Sequence, residues 1–284
     1  VSPAFALLAA LVASAPVRWD ALDEAGRAAA LAELQPLPFE ARLLAASARF
    51  LGTPYGVSPL GEGTGFDADP RLRWDKVDCV TFVEESLALA LARRVEDVLP
   101  QLDAIRYRDG RVAYEWRNHL MEADWLPANS RRGYVRDVTA TLGGADAVPA
   151  EKVLGTAAWD SPEARALALP ASVHATGRYG FGLLPLAHVA AHAGGFPSGT
   201  LLLVVREDTP SRITRVSHLG LIIQAGGRTY LRHATSVGPK AVVDEELGHF
   251  LARQARGSWK LLGVSLWQLR EPRGEAEAGL PRAP

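Results

Sequence analysis

The sequence predicts an α+β fold, with a helical N-terminal part packed on an antiparallel sheet. Three observations carry this. Helical patterning runs from Trp19 to about Leu51 and returns at Val77–Leu91. Strand-length apolar runs, alternating or continuous, take over from Thr200. No strand–helix–strand series repeats between them, which argues against a parallel sheet. The 284 residues, 48% hydrophobic and 22% charged, suffice for one large globular domain. A formal net charge of −1 gives no support to a nucleic-acid partner or an anionic membrane surface.

Taken in order, the chain opens on the apolar run Ala4–Val12, followed by Ala13-Ser14-Ala15 and Pro16. That is the pattern of a secretory h-region and its small-residue cleavage site, although no basic n-region precedes it. Residues 1–15 are therefore expected to be an export signal, which places the protein in the periplasm or cell envelope. The run is too short to span a bilayer and no other segment is apolar and long enough, so stable membrane insertion is not expected. Residues 17–270 read as one domain. Asp20–Leu34 and Phe39–Phe50 are helical, with Pro36 and Pro38 between them. Gly52–Gly56 is a turn, and Val57–Lys76 is a long Gly/Pro/Asp-rich loop of the kind that often carries function.

Val77–Leu91 reads as a buried amphipathic helix, with apolar residues at Val80, Val83, Leu87, Ala90 and Leu91. It holds the only cysteine of the chain, Cys79. Asp78 suits the N-cap, so Cys79 falls in the first turn, where free N–H groups favour an anion and a thiol should ionise more readily. Glu84 and Glu85 are expected on the solvated face of this helix or in a structural ion pair. Val95–Ile105 is a further helix. Arg106–Trp116 reads as a hairpin turning at Asp109-Gly110. Tyr134–Leu142 alternates like a strand, and Gly143–Gly182 shows no clear pattern. Leu183–His192 is a short helix ended by Gly194-Gly195. Leu201–Val205 is a buried strand, Ile213–Ile223 and Arg228–Ala234 form a hairpin, Asp244–Arg256 is helical, and Trp259–Leu269 is a last strand. Glu271–Pro284 is a polar, Pro/Gly-rich tail expected to be disordered.

The hairpin bears two histidines. With a turn at Ala225-Gly226, His218 lies directly opposite His233, and with a turn at Gly226-Gly227 the two are diagonal. Either way they share a sheet face, and opposite Cβ atoms sit about 5 Å apart. One imidazole could take a proton from a thiol while the other orients it. A lone cysteine excludes a disulfide framework and cysteine-cluster metal sites, and is compatible with a thiol nucleophile.

Leu51-Gly52-Thr53-Pro54-Tyr55, Asp78-Cys79, Ser217-His218-Leu219-Gly220 and His233 together resemble the NlpC-type cell-wall hydrolases, bacterial cysteine peptidases of papain-like fold. The wider set resembles one branch, the N-acetylmuramoyl-L-alanine amidase-like family. It comprises D-C-V-T-F-V-E, I-R-Y-R-D-G, R-N-H-L followed by Trp125, and S-H-L-G with R-H-A-T-S, spread over about residues 48 to 250. The resemblance implies Cys79 as nucleophile, His218 as general base and later acid, and His233 as its orienting partner. It implies Tyr55 as a donor to the oxyanion or substrate, beside the Cys79 N–H. Cys79 and His218 are 139 residues apart, which implies a large insertion relative to compact NlpC-type domains. The implied substrate is a peptidoglycan fragment, cut between N-acetylmuramic acid and L-alanine, with no cofactor. A stem-peptide endopeptidase and a non-catalytic muropeptide-binding module are the alternatives.

Arg117, Asn118 and His119 are further candidates. Arg suits bidentate carboxylate recognition, and a structural salt bridge would use the same geometry. His188 and His192 have the two-histidine spacing of a helical zinc site, but the Glu of H-E-x-x-H is missing and no metal is expected there.

Overall fold

The computed structural model of the chain describes residues 16–272. The proposed signal and all of the tail beyond Pro272 lie outside the described residues. Glu271, assigned to that tail from sequence, is held by Arg42 and Arg93 at 2.8 Å each.

The helical part comes first, as predicted. After a turn at Trp19–Ala21, α1 (Glu24–Leu34) starts at Asp23, whose side chain accepts the Gly26 N–H, and α2 (Phe39–Ala48) follows. The helix of Cys79 is α3 (Cys79–Leu91), and α4 is Val95–Arg106. The start of α3 is fixed by a full capping box. Asp78 accepts the Val80 and Thr81 N–H groups, and Thr81 Oγ1 accepts the Asp78 N–H at 2.8 Å.

The helix α3 is not amphipathic. From Thr81 to Leu91 every residue is buried. Helices α2 and α4 and the sheet pack against it. Glu84 and Glu85 therefore have no solvated face to occupy. Glu84 pairs with Arg106 at 2.6 Å and accepts Trp125 Nε1–H at 2.9 Å, while neither Glu85 oxygen has a hydrogen-bond partner among the described residues. A helix buried all round has no 3.6-residue polar stripe to reveal it, and the ion-pair half of the expectation holds only for Glu84.

The middle of the chain contains a π-helical turn, Met121–Trp125, and α5 (Leu126–Arg131). Then come β1 (Val135–Asp137), α6 (Thr139–Gly143), β2 (Val148–Leu154), α7 (Pro162–Ala166), β3 (Gly177–Pro185) and α8 (Leu186–His192). The last third supplies β4 (Thr200–Arg206), β5 (Val216–Ala225), β6 (Arg228–Ala234), β7 (Val242–Glu246), α9 (Leu247–Gln254) and β8 (Leu261–Leu269). The strands form one antiparallel sheet in the order β2-β3-β8-β4-β5-β6-β7, with β1 also pairing β8.

Both faces of the sheet centre are covered. Leu201, Leu203, Val205, Leu219 and Leu221 face the helical layer of α1–α4. Leu202, Val204, Ile222, Leu231 and Leu266 pack with Val189 of α8 and with Leu247, Phe250 and Leu251 of α9. Two-sided burial explains why β4 reads as an unbroken apolar run rather than an alternating one.

Four expectations need correction. Asp109-Gly110 does turn with both residues at positive φ (53° and 67°), the I′ geometry the dipeptide favours, but the flanks form short helical turns and a single bridge, Tyr107 with Arg117. Tyr134–Leu142 keeps only three residues of strand before α6 begins. The patternless Gly143–Gly182 contains the β2–β3 ribbon, half exposed and interrupted by a long excursion. Asp244 and Glu245 belong to a strand, not a helix, because β6 offers Val242–Glu246 a free edge to pair with. Among the described residues no helix is long and apolar enough to cross a membrane.

Candidate active site

Cys79 sits at the first turn of α3 and is partly exposed. The backbone of Leu219, the residue after His218, is close enough to bear on its thiol. The start of β5 therefore lies beside Cys79. Tyr55 is also close. Its segment is bridged to Val77 and pinned by Tyr55 N–H to the Lys240 carbonyl at 2.8 Å, and its phenol lies within the field of Cys79 and Asp78. Burial, then those two neighbours, push the Tyr55 hydroxyl up to about 12, so it stays a proton donor through the neutral range.

The histidines pair as the diagonal register requires. Leu221 pairs with Arg232 and Ile222 with Leu231, so the turn is Gly226-Gly227. His218 Nε2 and His233 Nδ1 are 2.8 Å apart, with the rings nearly perpendicular at 87°. Gly220, between them on the same face, permits this closeness. A Cβ there would lie 2.6 Å from the Arg232 carbonyl and 2.9 Å from His233 Cβ. Phe250 of α9 closes the pair from outside, 5.6 Å from the His218 ring and 5.0 Å from that of His233.

Beyond His233 lies a carboxylate that sequence reasoning did not find. His233 Nε2 is 3.2 Å from Glu245 Oε2, and Arg253 of α9 holds both Glu245 oxygens, at 3.2 and 2.5 Å. The available signal was the alternation of Val242-Val243-Asp244-Glu245-Glu246, which a helical reading concealed.

Electrostatics favour neutral partners at rest. Burial, reinforced by Asp78, pushes the Cys79 thiol up to about 12, although the Leu219, Cys79 and Val80 amides pull the other way. The helix-start effect expected from sequence is thus present in sign and outweighed by desolvation. Burial, His233, Arg253 and Arg206 bring His218 down to about 3. Burial also lowers His233, against the pull of Glu245.

The remaining sequence candidates are engaged elsewhere. Arg117 binds Glu62 at 2.7 Å and Asp67 at 2.8 Å, and so ties down the 57–76 loop. Asn118 Nδ2 donates to the Ile105 carbonyl, and His119 Nε2 meets the Tyr114 carbonyl at 2.7 Å. His188 and His192 both face Asp146, at 3.3 and 2.8 Å.

A family model described as N-acetylmuramoyl-L-alanine amidase-like matches residues 45–257. Among solved structures, a Legionella pneumophila protein superposes with a TM-score of 0.77 at 24% identity, over 87% of this chain and 94% of its own, which shows the common fold. An N-acetylmuramoyl-L-alanine amidase from Bacteroides uniformis superposes with a TM-score of 0.66 at 25% identity, over 82% of this chain and 99% of its own. A Bacteroides fragilis protein described as a candidate xylanase gives 0.63 at 27% identity, over 79% and 99%. No curated protein matches the chain.

Proposed function

The chain belongs to the N-acetylmuramoyl-L-alanine amidase-like family, and from that premise we propose that it is a cysteine-dependent peptidoglycan amidase of papain-like, NlpC type. The observation that carries the cysteine mechanism is the 2.8 Å His218–His233 bond, next to the Leu219 backbone that bears on the Cys79 thiol. In the proposed reaction the thiol proton passes to His218 as the sulfur attacks the lactyl carbonyl of N-acetylmuramic acid. The Cys79 N–H and the Tyr55 hydroxyl stabilise the oxyanion. The C–N bond to L-alanine then breaks, and His218 returns its proton to the leaving amine. Water, deprotonated by His218, hydrolyses the muramoyl thioester and restores the thiol.

A thiol and an imidazole that are both neutral at rest suit this scheme, because proton transfer then accompanies attack rather than preceding it. The substrate is a peptidoglycan fragment, which fits export to the periplasm or cell envelope. Purified protein and its Cys79→Ala variant are to be incubated with defined muropeptides and the products read by mass spectrometry. Release of an intact peptide beginning with L-alanine, by the wild type alone, is expected. Cuts within the peptide would make it a stem-peptide endopeptidase. Binding without cleavage would make it a recognition module.

A further inference from the structure

We propose that Glu245, clamped by Arg253, is a positioning residue that sets the tautomers of both histidines and leaves His218 Nδ1 as the bare base. The inference rests on the proposed Cys79–His218 chemistry for its catalytic meaning, and for the tautomers on the hydrogen-bond geometry with Glu245 ionised and both imidazoles neutral. The bonds run in one chain, from Arg253 to Glu245, then His233, then His218. Each link has one workable polarity. Against a burial penalty, the hydrogen bonds and charge of Arg253 hold the Glu245 carboxyl below the usual range, so it is an acceptor only. His233 must then carry its proton on Nε2, which leaves Nδ1 as an acceptor. His218, facing that acceptor, must carry its proton on Nε2. A neutral imidazole has one N–H, so His218 Nδ1 is unprotonated.

The elements that build the chain are otherwise separate in sequence. Glu245 on β7 opposes Leu231 on β6, two pairs beyond His233 and Val243, which puts it on the histidine face. Arg253 comes from the last turn of α9, and Phe250 of the same helix walls off the ring pair. Asp244 plays no part in this chain, because it is taken by Arg232 at 2.8 Å. Arg206, which bears on His218 through its charge, spends its donors on Ser217, Gln254 and Trp259.

Glu245→Leu tests the polarity by removing the acceptor. One carboxylate oxygen, Oε2, takes both Arg253 Nη2 and His233 Nε2. Without it His233 Nε2 has no acceptor and the donor Arg253 remains beside it, so both tautomers reverse and His218 Nδ1 gains the proton. Glu245→Gln keeps an oxygen at that position, toward both donors, and so keeps the wild-type tautomers. The first readout is ¹⁵N NMR of histidine-labelled wild-type protein at pH 7. Both rings are expected as the Nε2–H tautomer, and an Nδ1–H signal for His218 would overturn the proposal whatever the variants do. The second is the pair of Glu245 variants, compared in the rate of Cys79 alkylation and in muropeptide turnover. Glu245→Leu is expected to reverse the tautomers and lower kcat roughly 10- to 100-fold with KM little changed, the scale typical of outer partners that fix a ring. Glu245→Gln, which keeps the acceptor, should retain most activity and the wild-type tautomers. Unchanged tautomers in a folded Glu245→Leu protein would refute the role. If wild type fails to cut muropeptides while the tautomers follow the prediction, the amidase reading falls and the positioning role stands.

Discussion

At the scale of single residues, Cys79 is governed by two opposed effects. The helix start and the Leu219 amide favour its anion, and desolvation disfavours it and wins, so the thiol is pushed up to about 12. At pH 7 the thiolate is then far scarcer than the few per cent of a free cysteine. Two outcomes follow. Iodoacetamide modification of the resting protein should be slow at pH 7 and rise about tenfold per pH unit to at least pH 9.5. The turnover profile should show no rise near pH 6.5 from ion-pair formation, because His218 is already neutral there. A plateau of alkylation below pH 8 would mean that a thiolate–imidazolium pair exists at rest. From sequence, the location of Cys79 was legible, since Asp78 and Thr81 cap the helix through local bonds. Its protonation state was not, because burial depends on Leu219 and Tyr55, far away in the chain.

At the scale of elements, the β5–β6 hairpin does most to define the site. Its sequence left two registers open, and the Gly226-Gly227 turn settles them in favour of the diagonal one. The pairing of His218 with His233 was legible because alternation keeps both residues on one face in either register. The reason for Gly220 was not legible, since it lies in how closely the neighbouring strand approaches. Gly220→Ala would set a methyl 2.6 Å from the Arg232 carbonyl, a backbone atom with no room to yield. Strand β6 must then move outward, carrying His233 with it. The expected cost is about 1–3 kcal/mol of stability by calorimetry, together with a loss of kcat larger than that of folded protein. A fully active, equally stable variant would show that the strands are looser than the geometry implies. The other element the sequence hid is β7. Its residues favour neither state strongly, and only pairing with β6 decides that Glu245 stands on the histidine face.

At the scale of the whole molecule, function requires buried ionisable groups of both kinds, and they oppose each other as pH changes. Burial lowers His218 to about 3, well below its unfolded value near 6.5. A depressed histidine contributes stability that is present above pH 6.5 and is lost as pH falls from 6.5 toward 3. Glu85 acts in the other direction. Burial raises it well above 4.5, outweighing the Arg106 charge and the Arg73 backbone, so its contribution is complete at low pH and is lost as pH rises above 4.5. The fold is thus weakened from the acid side by the site and from the neutral side by the helix beneath it. Melting curves between pH 4.5 and 8 separate the two. Glu85→Gln, which cannot ionise, should gain stability over wild type at pH 8, and the gain should shrink toward pH 4.5. His218→Gln should lose less stability than wild type between pH 6.5 and 4.5, by on the order of a few kcal/mol at the acid end. Parallel curves for wild type and Glu85→Gln would mean that Glu85 finds a partner for its charge. Parallel curves for wild type and His218→Gln would mean that the histidine pair is solvated enough to protonate in place.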